Sequence, residues 1–420
     1  MKSPIYSRIA YTDKIKPFIG KNLVKVLTGQ RRVGKSCILY QLMEKIKKNE
    51  PKANVIYINK EDIAFDDIRN YKDLSGFLSV NSVKNKMNYI FIDEVQLIDK
   101  FHITIKSLLL KNNYDIYITG SNSDMLSGDL ANELGGRYIE FTIYSLSYME
   151  FLQFHKLKND DAAMGKYFRY GGLPYLIHLP FDNEVIKEYL NSIYSTIILK
   201  DVIARKKIRN TVFLEQLVKY LAGNIGNLFS AKSISDYLKS QRTEISTNQV
   251  IEYISALTNA FIIHKIGRYD IIGKRLFERG EKYYFENLGV RNTIAGYKLQ
   301  DRAMRLENVI FNHLLFCGYD VKVGILQSGS TGHSNSGEVD FVCSKNNETL
   351  YVQVAQELSR TYTVNREFGN LLKIKDNYPK VVVSNDISFE NTYNGVEHIY
   401  IRDFLSGIPS ASIFSKGLPG

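Results

Sequence analysis

Hydrophobic positions in the first third of the chain fall in short unbroken runs, separated by stretches with helical spacing. Val24–Leu27, Asn54–Ile58, Tyr89–Ile92 and Asp115–Thr119 are such runs. Their length and continuity are those of strands buried on both faces. Between the first two, Ser36–Lys48 places Ile38, Leu39, Leu42, Met43 and Ile46 on one stripe, as a helix with one buried face requires. Strands alternating with helices predict a parallel sheet covered on both sides. Over 140–225 the strand pattern fades. Asp182–Leu199 and Thr211–Leu221 read as helices, punctuated by Gly171, Gly172 and Pro174. From 226 to 290, helices Ser230–Ser240 and Thr247–Leu257 precede strand-like runs Phe261–Ile266 and Lys282–Phe285, the order of a winged helix. Residues 300–405 return to mixed α/β. A helix Arg302–Cys317 leads to strands near Val339–Cys343 and Tyr351–Ala355, a helix around Arg366–Lys375 and a strand Val381–Ser384. The Ser/Gly/Pro-rich end SGIPSASIFSKGLPG reads as a loose tail.

The 420 residues are too many for one hydrophobic core. Boundaries are expected near 140, 225, 295 and 405. They divide the chain into an α/β core (1–140), a helical region (141–225), a winged helix (226–295), a mixed α/β domain (296–405) and the tail (406–420). The 55 basic and 44 acidic residues give a net charge of +11. That balance suits an acidic partner such as nucleic acid, or only a solvated Lys-rich face. Cys37, Cys317 and Cys343 have no paired spacing, which argues against a disulfide framework and a zinc site. Cys37 itself reads as a small buried apolar residue. No signal-peptide-like apolar stretch and no run of roughly 18 apolar residues occurs, so a cytoplasmic protein without membrane contact is expected.

One segment carries specific chemistry. Gly29-Gln30-Arg31-Arg32-Val33-Gly34-Lys35-Ser36 matches G-x-x-x-x-G-K-[ST] in full, between an expected strand and an expected helix with Cys37 just inside it. Such glycines let backbone N–H groups wrap phosphates at a helix N-terminus. Lys35 is placed to reach the outer phosphates and Ser36 to ligand Mg²⁺, so the expected ligand is ATP with Mg²⁺. The run Tyr89–Glu94 ends in two carboxylates: Asp93 to hold the metal and Glu94 to polarise the attacking water. Ser121 and Asn122 close the fourth strand and are candidates for contact with the terminal phosphate or the water. Arg137, after Gly135-Gly136, is a candidate arginine finger or a surface residue beside a hinge.

The runs GQRRVGKS, FIDEVQ, TGSNSDMLSGDLANELGGR, YSLSYMEFL and YFRYGGLPYLI resemble AAA+-type ATPases of bacteria and archaea with a C-terminal domain of unknown function. KDVIARKKIRN, RYDIIGKRLFE and REFGNLLKIKDNYPKVVVSND extend the likeness over most of residues 10–405. The resemblance implies an ATPase core, a winged-helix segment and a C-terminal module similar to PD-(D/E)XK restriction-endonuclease-like folds. It implies Lys35, Ser36, Asp93 and Glu94 as ATPase residues, Ser121 or Asn122 as a sensor, and the self-association common among such ATPases. Glu307, Asp340 and Gln353 fall where nucleases of that superfamily carry their acids and a Gln-x-Lys pair, but Ala355 replaces the lysine. An impaired nuclease-like scaffold is therefore expected, unless a lysine such as Lys373 or Lys380 substitutes. In the winged helix, the second helix offers only Asn248, Gln249 and Glu252, whereas the wing offers Lys265, Arg268, Lys274, Arg275 and Arg279. The wing is thus the candidate DNA contact, the alternative being a packing domain that relays nucleotide state.

Overall fold

The computed structural model describes residues 6–123, 133–206, 208, 210–240, 245–326 and 337–407. The expected tail lies almost wholly outside them. The chain divides into two compact units. The first comprises Met1–Ser145, Thr196–Arg205 and Asn259–Phe261; the second holds Leu146–Ser195, Lys206–Thr258 and Ile262–Gly420.

The first unit is built on five strands: β1 (Val24–Thr28), β2 (Asn54–Asn59), β3 (Asn88–Asp93), β4 (Tyr114–Thr119) and β5 (Tyr138–Thr142). Their order is β2-β3-β4-β1-β5, and every pairing is parallel. β1, β3 and β4 are buried along their whole length, which explains why they read as unbroken apolar runs. Val26, Ile58, Ile90, Ile92, Ile116 and Ile118 form one core with Leu74 and Leu78 of helix Tyr71–Asn81 and Ile105 of helix Phe101–Leu108. On β3 and β4, Phe91 stacks on Tyr117 at 4.4 Å between ring centres.

The second unit begins with helices. Tyr148–His155 starts at a Ser147/Glu150 capping box, and Asp161–Tyr170 starts at an Asp160 cap. Asn183–Thr196, Thr211–Gly223, Ala231–Ser240, Thr247–Asn259, Leu288–Ala295 and Arg302–Phe316 follow. At Gly289 an added Cβ would lie 2.0 Å from the Tyr170 carbonyl oxygen, so these two backbones meet only because the residue is glycine. The eight strands β6 (Ile263–Asp270), β7 (Arg275–Phe285), β8 (Asp320–Leu326), β9 (Gly337–Lys345), β10 (Glu348–Ala355), β11 (Lys380–Ser384), β12 (Thr392–Tyr393) and β13 (Val396–Tyr400) form one mixed sheet. Its order is β12-β13-β11-β10-β9-β8-β6-β7. The β6–β7 pair is thus the edge of a larger sheet, joined through the parallel β6–β8 pairing, and residues on both sides of position 295 share that sheet. Helix Thr361–Leu372 packs Phe368 and Leu371 against Val339, Tyr351 and Val382.

Among the described residues, no helix is long and apolar enough to cross a membrane.

Candidate nucleotide site

The loop between β1 and helix Lys35–Asn49 is fixed by sterics before any polar contact. Gly29 has φ 138°, and an added Cβ would meet the Ile143 carbonyl oxygen at 2.1 Å, so no side chain fits. Ile143 donates its N–H to Thr28 O at 2.8 Å, which holds the chain after β5 against the loop. Arg8, not singled out by the sequence reading, donates Nη1 to Val33 O at 3.0 Å and to Tyr144 O at 2.8 Å. Val33 itself is buried. Arg32 takes a left-handed φ of 71° and is exposed, and Gly34 follows at 97° as the helix N-cap. That helix has no side-chain cap and no acidic residue in its first turn. Its first N–H groups therefore have no capping side chain, the arrangement that suits an anion at a helix N-terminus. Cys37 is exposed on the helix's first turn, contrary to the buried position expected, because the buried stripe is Ile38, Leu39, Leu42, Met43 and Ile46.

Lys35 is nearly buried and folds back, donating Nζ to Gly29 O at 2.9 Å and Gln30 O at 3.1 Å. Its ammonium stands 4.0 Å from Glu94. Burial pulls its pKa down, partly offset by Glu94 and Asp93. The Ser36 side chain lies near the Asp93 carboxylate at the end of β3 and opposes the rise that burial gives its pKa. Asp93 accepts from the Thr119 hydroxyl, and from Tyr57 OH at 3.3 Å. Burial pushes the Asp93 pKa up, against Ser36 and the Thr119 hydrogen bond, while Glu94 adds to the rise. Glu94 holds a left-handed φ of 55°, a strained setting for a residue with a side chain. Its N–H donates to Thr119 Oγ1 at 2.9 Å, and its carboxylate accepts from the Gln96 amide. One hydroxyl, Thr119, thus bonds the Asp93 carboxylate and the Glu94 backbone N–H.

The expected Lys35, Ser36, Asp93 and Glu94 therefore converge. Ser121 and Asn122 are buried just beyond β4, and the Ser121 hydroxyl donates to Asp201 at 3.3 Å. Arg31 also turns to Asp201. Arg137 donates Nε to Leu134 O at 3.4 Å, within its own turn, and its carbonyl accepts from Val24 N at 3.1 Å. No described contact joins its side chain to the loop. Most of SNSDMLSGDLANE lies outside the described residues. Tyr57, Thr119 and Asp201 were missed by the sequence reading. A polar residue closing or interrupting an apolar run was the available signal for each.

The second cluster lies in a cleft of about 340 Å³ in the second unit and does bring together Glu307, Asp340 and Gln353. The lysine at its centre is neither Lys373, which contacts Asn370, nor Lys380, which pairs with Asp376. It is Lys282 of β7, 3.0 Å from Glu307, 2.8 Å from Glu338 and 3.8 Å from Asp340. Burial alone would lower the Lys282 pKa, but the three carboxylates raise it. Burial and Glu307 drive the Asp340 pKa well up. Gln353 donates to Glu367 at 2.8 Å and accepts from Asp340 N at 3.3 Å, so both ends of its amide are engaged. Among the described residues, no group of three or more His, Cys, Asp or Glu is arranged to hold a metal ion. On the expected wing, Lys265 pairs with Glu281 at 2.9 Å and Arg268 lies against Gly280, while Lys274 is exposed. The Arg275 and Arg279 side chains lie outside the described set.

A glycine loop entering an uncapped helix, a lysine folded over it and two carboxylates on the next strand but one define a P-loop domain of the AAA type. Residues 21–152 match the AAA domain family, and residues 162–301 match a domain of unknown function, DUF8612. An uncharacterized protein of Haemophilus influenzae is 34% identical over 413 residues, covering 96% of this chain and all of that protein. The chain belongs to the same family, in which an AAA domain precedes that domain of unknown function. An uncharacterized Methanocaldococcus jannaschii protein is 28% identical over 404 residues, 90% of this chain and 86% of its own length. Among solved structures, the Aeropyrum pernix ORC1 protein in complex with DNA is 11% identical, covering 70% of this chain and 93% of that one, at a TM-score of 0.34. AMPPCP-bound DnaA from Aquifex aeolicus is 15% identical over 60% of this chain and 87% of its own, at 0.31.

An AAA domain implies a nucleotide, typically ATP with Mg²⁺. The residues fit that group. Beyond the uncapped helix and the Gly29 contact, the Gln30 side chain is 1% exposed and both its amide atoms are without a hydrogen-bond partner among the described residues. A buried amide left so costs about 1–3 kcal/mol, which a ligand-induced rearrangement of the loop can recover.

Proposed function

We propose that this protein is a Mg²⁺-dependent ATPase that acts as a molecular switch, its nucleotide state governing the conformation of the regions after the AAA domain. The observation that carries the reading is the convergence of Lys35, Ser36, Asp93 and Glu94, with the Thr119 hydroxyl bonding the Asp93 carboxylate and the Glu94 N–H. Mg²⁺, held by Ser36 and Asp93, would supply charge to the phosphates and the leaving oxygen. Lys35 leaves its carbonyl partners for the outer phosphate oxygens. The helix N-terminus takes the inner ones. Glu94 accepts a proton from the attacking water, and its strained backbone fixes where that carboxylate points.

Lys35→Ala is expected to remove nucleotide binding and turnover together. Glu94→Gln should keep binding and lower single-turnover hydrolysis by about 10²–10⁴-fold. Unchanged turnover in either variant would sink the assignment. A second reading, a nucleotide-locked binding module without efficient turnover, has one observation in its favour. Glu94 is engaged by Gln96 and stands near Lys35. Single-turnover kinetics of the wild type separate the two.

The order helix, helix, antiparallel pair over 231–285 supports a winged-helix-like arrangement there, its strand pair continuing into the sheet that runs past 295. Direct DNA contact through the wing has less support, because Lys265 is neutralised by Glu281. Nucleic-acid cleavage by the acidic cleft has less support, because the Gln353 amide is committed on both sides.

A further inference from the structure

The segment KDVIARKKIRN has so far no role. Its Asp201 lies in the π-helical stretch Ile197–Ala204 and is 1% exposed. Wide turns of that kind recur where a side chain must be aimed out of helical register. Asp201 Oδ2 accepts from Arg31 Nε at 2.9 Å and Oδ1 from Arg31 Nη2 at 3.0 Å, a two-pronged fork. Oδ1 also accepts from the Ser121 hydroxyl at 3.3 Å. Arg31 belongs to the phosphate loop. Ser121 follows β4, whose last residue, Thr119, bonds the Asp93 carboxylate and the Glu94 N–H. One buried carboxylate therefore occupies a donor from each of two elements bordering the phosphate site. Both Arg31 and Asp201 act electrostatically on the Lys35 ammonium, so their charges lie near the phosphate loop.

We propose that Asp201 is the residue through which the site distinguishes a nucleoside triphosphate from a diphosphate. It competes with the terminal phosphate for Arg31 and Ser121. A phosphoryl group offers Arg31 the same planar fork of oxygens that the carboxylate does, with more charge. When it arrives, Arg31 and Ser121 turn to it and Asp201 keeps Arg205, whose guanidinium stands 4.0 Å away. A diphosphate ends short of that position and leaves both donors on Asp201. The terminal phosphate is thereby coupled to the Ile197–Ala204 segment. The inference rests on the nucleotide reading of Gly29–Ser36.

The test is calorimetric titration of the full chain with Mg²⁺ and either ADP or the non-hydrolysable β,γ-methylene analogue of ATP. Wild type, Asp201→Asn, Arg31→Ala and the double variant are compared. Asp201→Asn should bind the triphosphate analogue about tenfold more tightly, the size of one charge-assisted hydrogen bond, with ADP affinity unchanged. Arg31→Ala should lose the preference for triphosphate, and adding Asp201→Asn to it should change nothing further. Melting curves establish that each variant folds. Should Asp201→Asn fail to fold, the loss of preference in Arg31→Ala decides. Weaker triphosphate binding in Asp201→Asn would overturn the proposal, since Asp201 would then be steering Arg31 onto the phosphate. Equal shifts for both nucleotides, or no preference in the wild type, overturn it as well. Lys35→Ala binding both nucleotides normally would instead remove the loop reading, and this inference with it.

Discussion

Lys25 and Asp115 show how strongly single residues are committed in the first sheet. Lys25 on β1 and Asp115 on β4 are both buried, and they are joined as an ion pair. Burial lowers the Lys25 pKa against the pull of Asp115. Around the pair, Lys25 also donates to Lys21 O at 2.7 Å, while Asp115 accepts from Gly20 N at 2.7 Å and Tyr117 OH at 2.8 Å. Every polar atom is answered, so the pair persists inside the buried sheet. Removing one partner leaves the other charged and dry. Asp115→Ala should cost about 3–5 kcal/mol in urea unfolding followed by circular dichroism. The double apolar replacement Lys25→Met, Asp115→Leu should recover most of that loss, because it removes both desolvation penalties. If the single variant is as stable as the wild type, the pair is not holding β1 to β4.

At the scale of elements, the helix Arg302–Phe316 carries a built-in acid sensitivity. His313 is buried, bonds Gly407 O through Nε2 at 3.1 Å, and has no partner at Nδ1 among the described residues. Burial holds its pKa down at about 4. An unfolded histidine titrates near 6.5, so between those values the unfolded chain binds the extra proton and the folded one does not. The stabilisation is complete above pH 6.5. It is lost as pH falls, by about 1.4 kcal/mol per unit, until the folded group also titrates. Replacing His313 by Asn should flatten that slope in thermal unfolding across pH 4–6.5; an unchanged slope would rule the group out. Element by element, legibility follows burial symmetry. β1, β3 and β4 could be read because both faces are covered. β5, an edge strand half-exposed throughout, left no apolar run to read. β7 runs from Arg275, yet only Lys282–Phe285 looked like strand, because its first half, RLFERGE, is polar. The helix before Asp201 was expected to end at Leu199. The wide turn over Ile197–Ala204 leaves the apolar pattern intact and so leaves no trace in it. The phosphate loop and its two carboxylates were readable because their chemistry is local in sequence. Asp201 and Lys282 were not, because their partners are supplied by distant strands and helices.

For the molecule as a whole, two compact units imply two thermodynamic responses. The first unit's core gathers around β1–β4, and another lies between helix Thr361–Leu372 and β9–β11. A ligand stabilises only what it binds. A nucleotide at 100 times its dissociation constant should add about 2.7 kcal/mol to the unit that holds it. Calorimetric scans should therefore show one transition raised by Mg²⁺ and ATP, and that rise absent in Lys35→Ala. A rise shared equally by all transitions would mean that the units unfold as one. The sheet order has a last consequence, in time rather than energy. β1 is made first but lies between β4 and β5. On a ribosome adding roughly 5–20 residues per second, its first partner strand emerges roughly ninety residues later, many seconds after it. Until then VKVLT has no edge to pair with. The nucleotide site is thus among the first segments translated and among the last features of its unit to exist, and a chain truncated before Thr142 would present that strand to other chains instead.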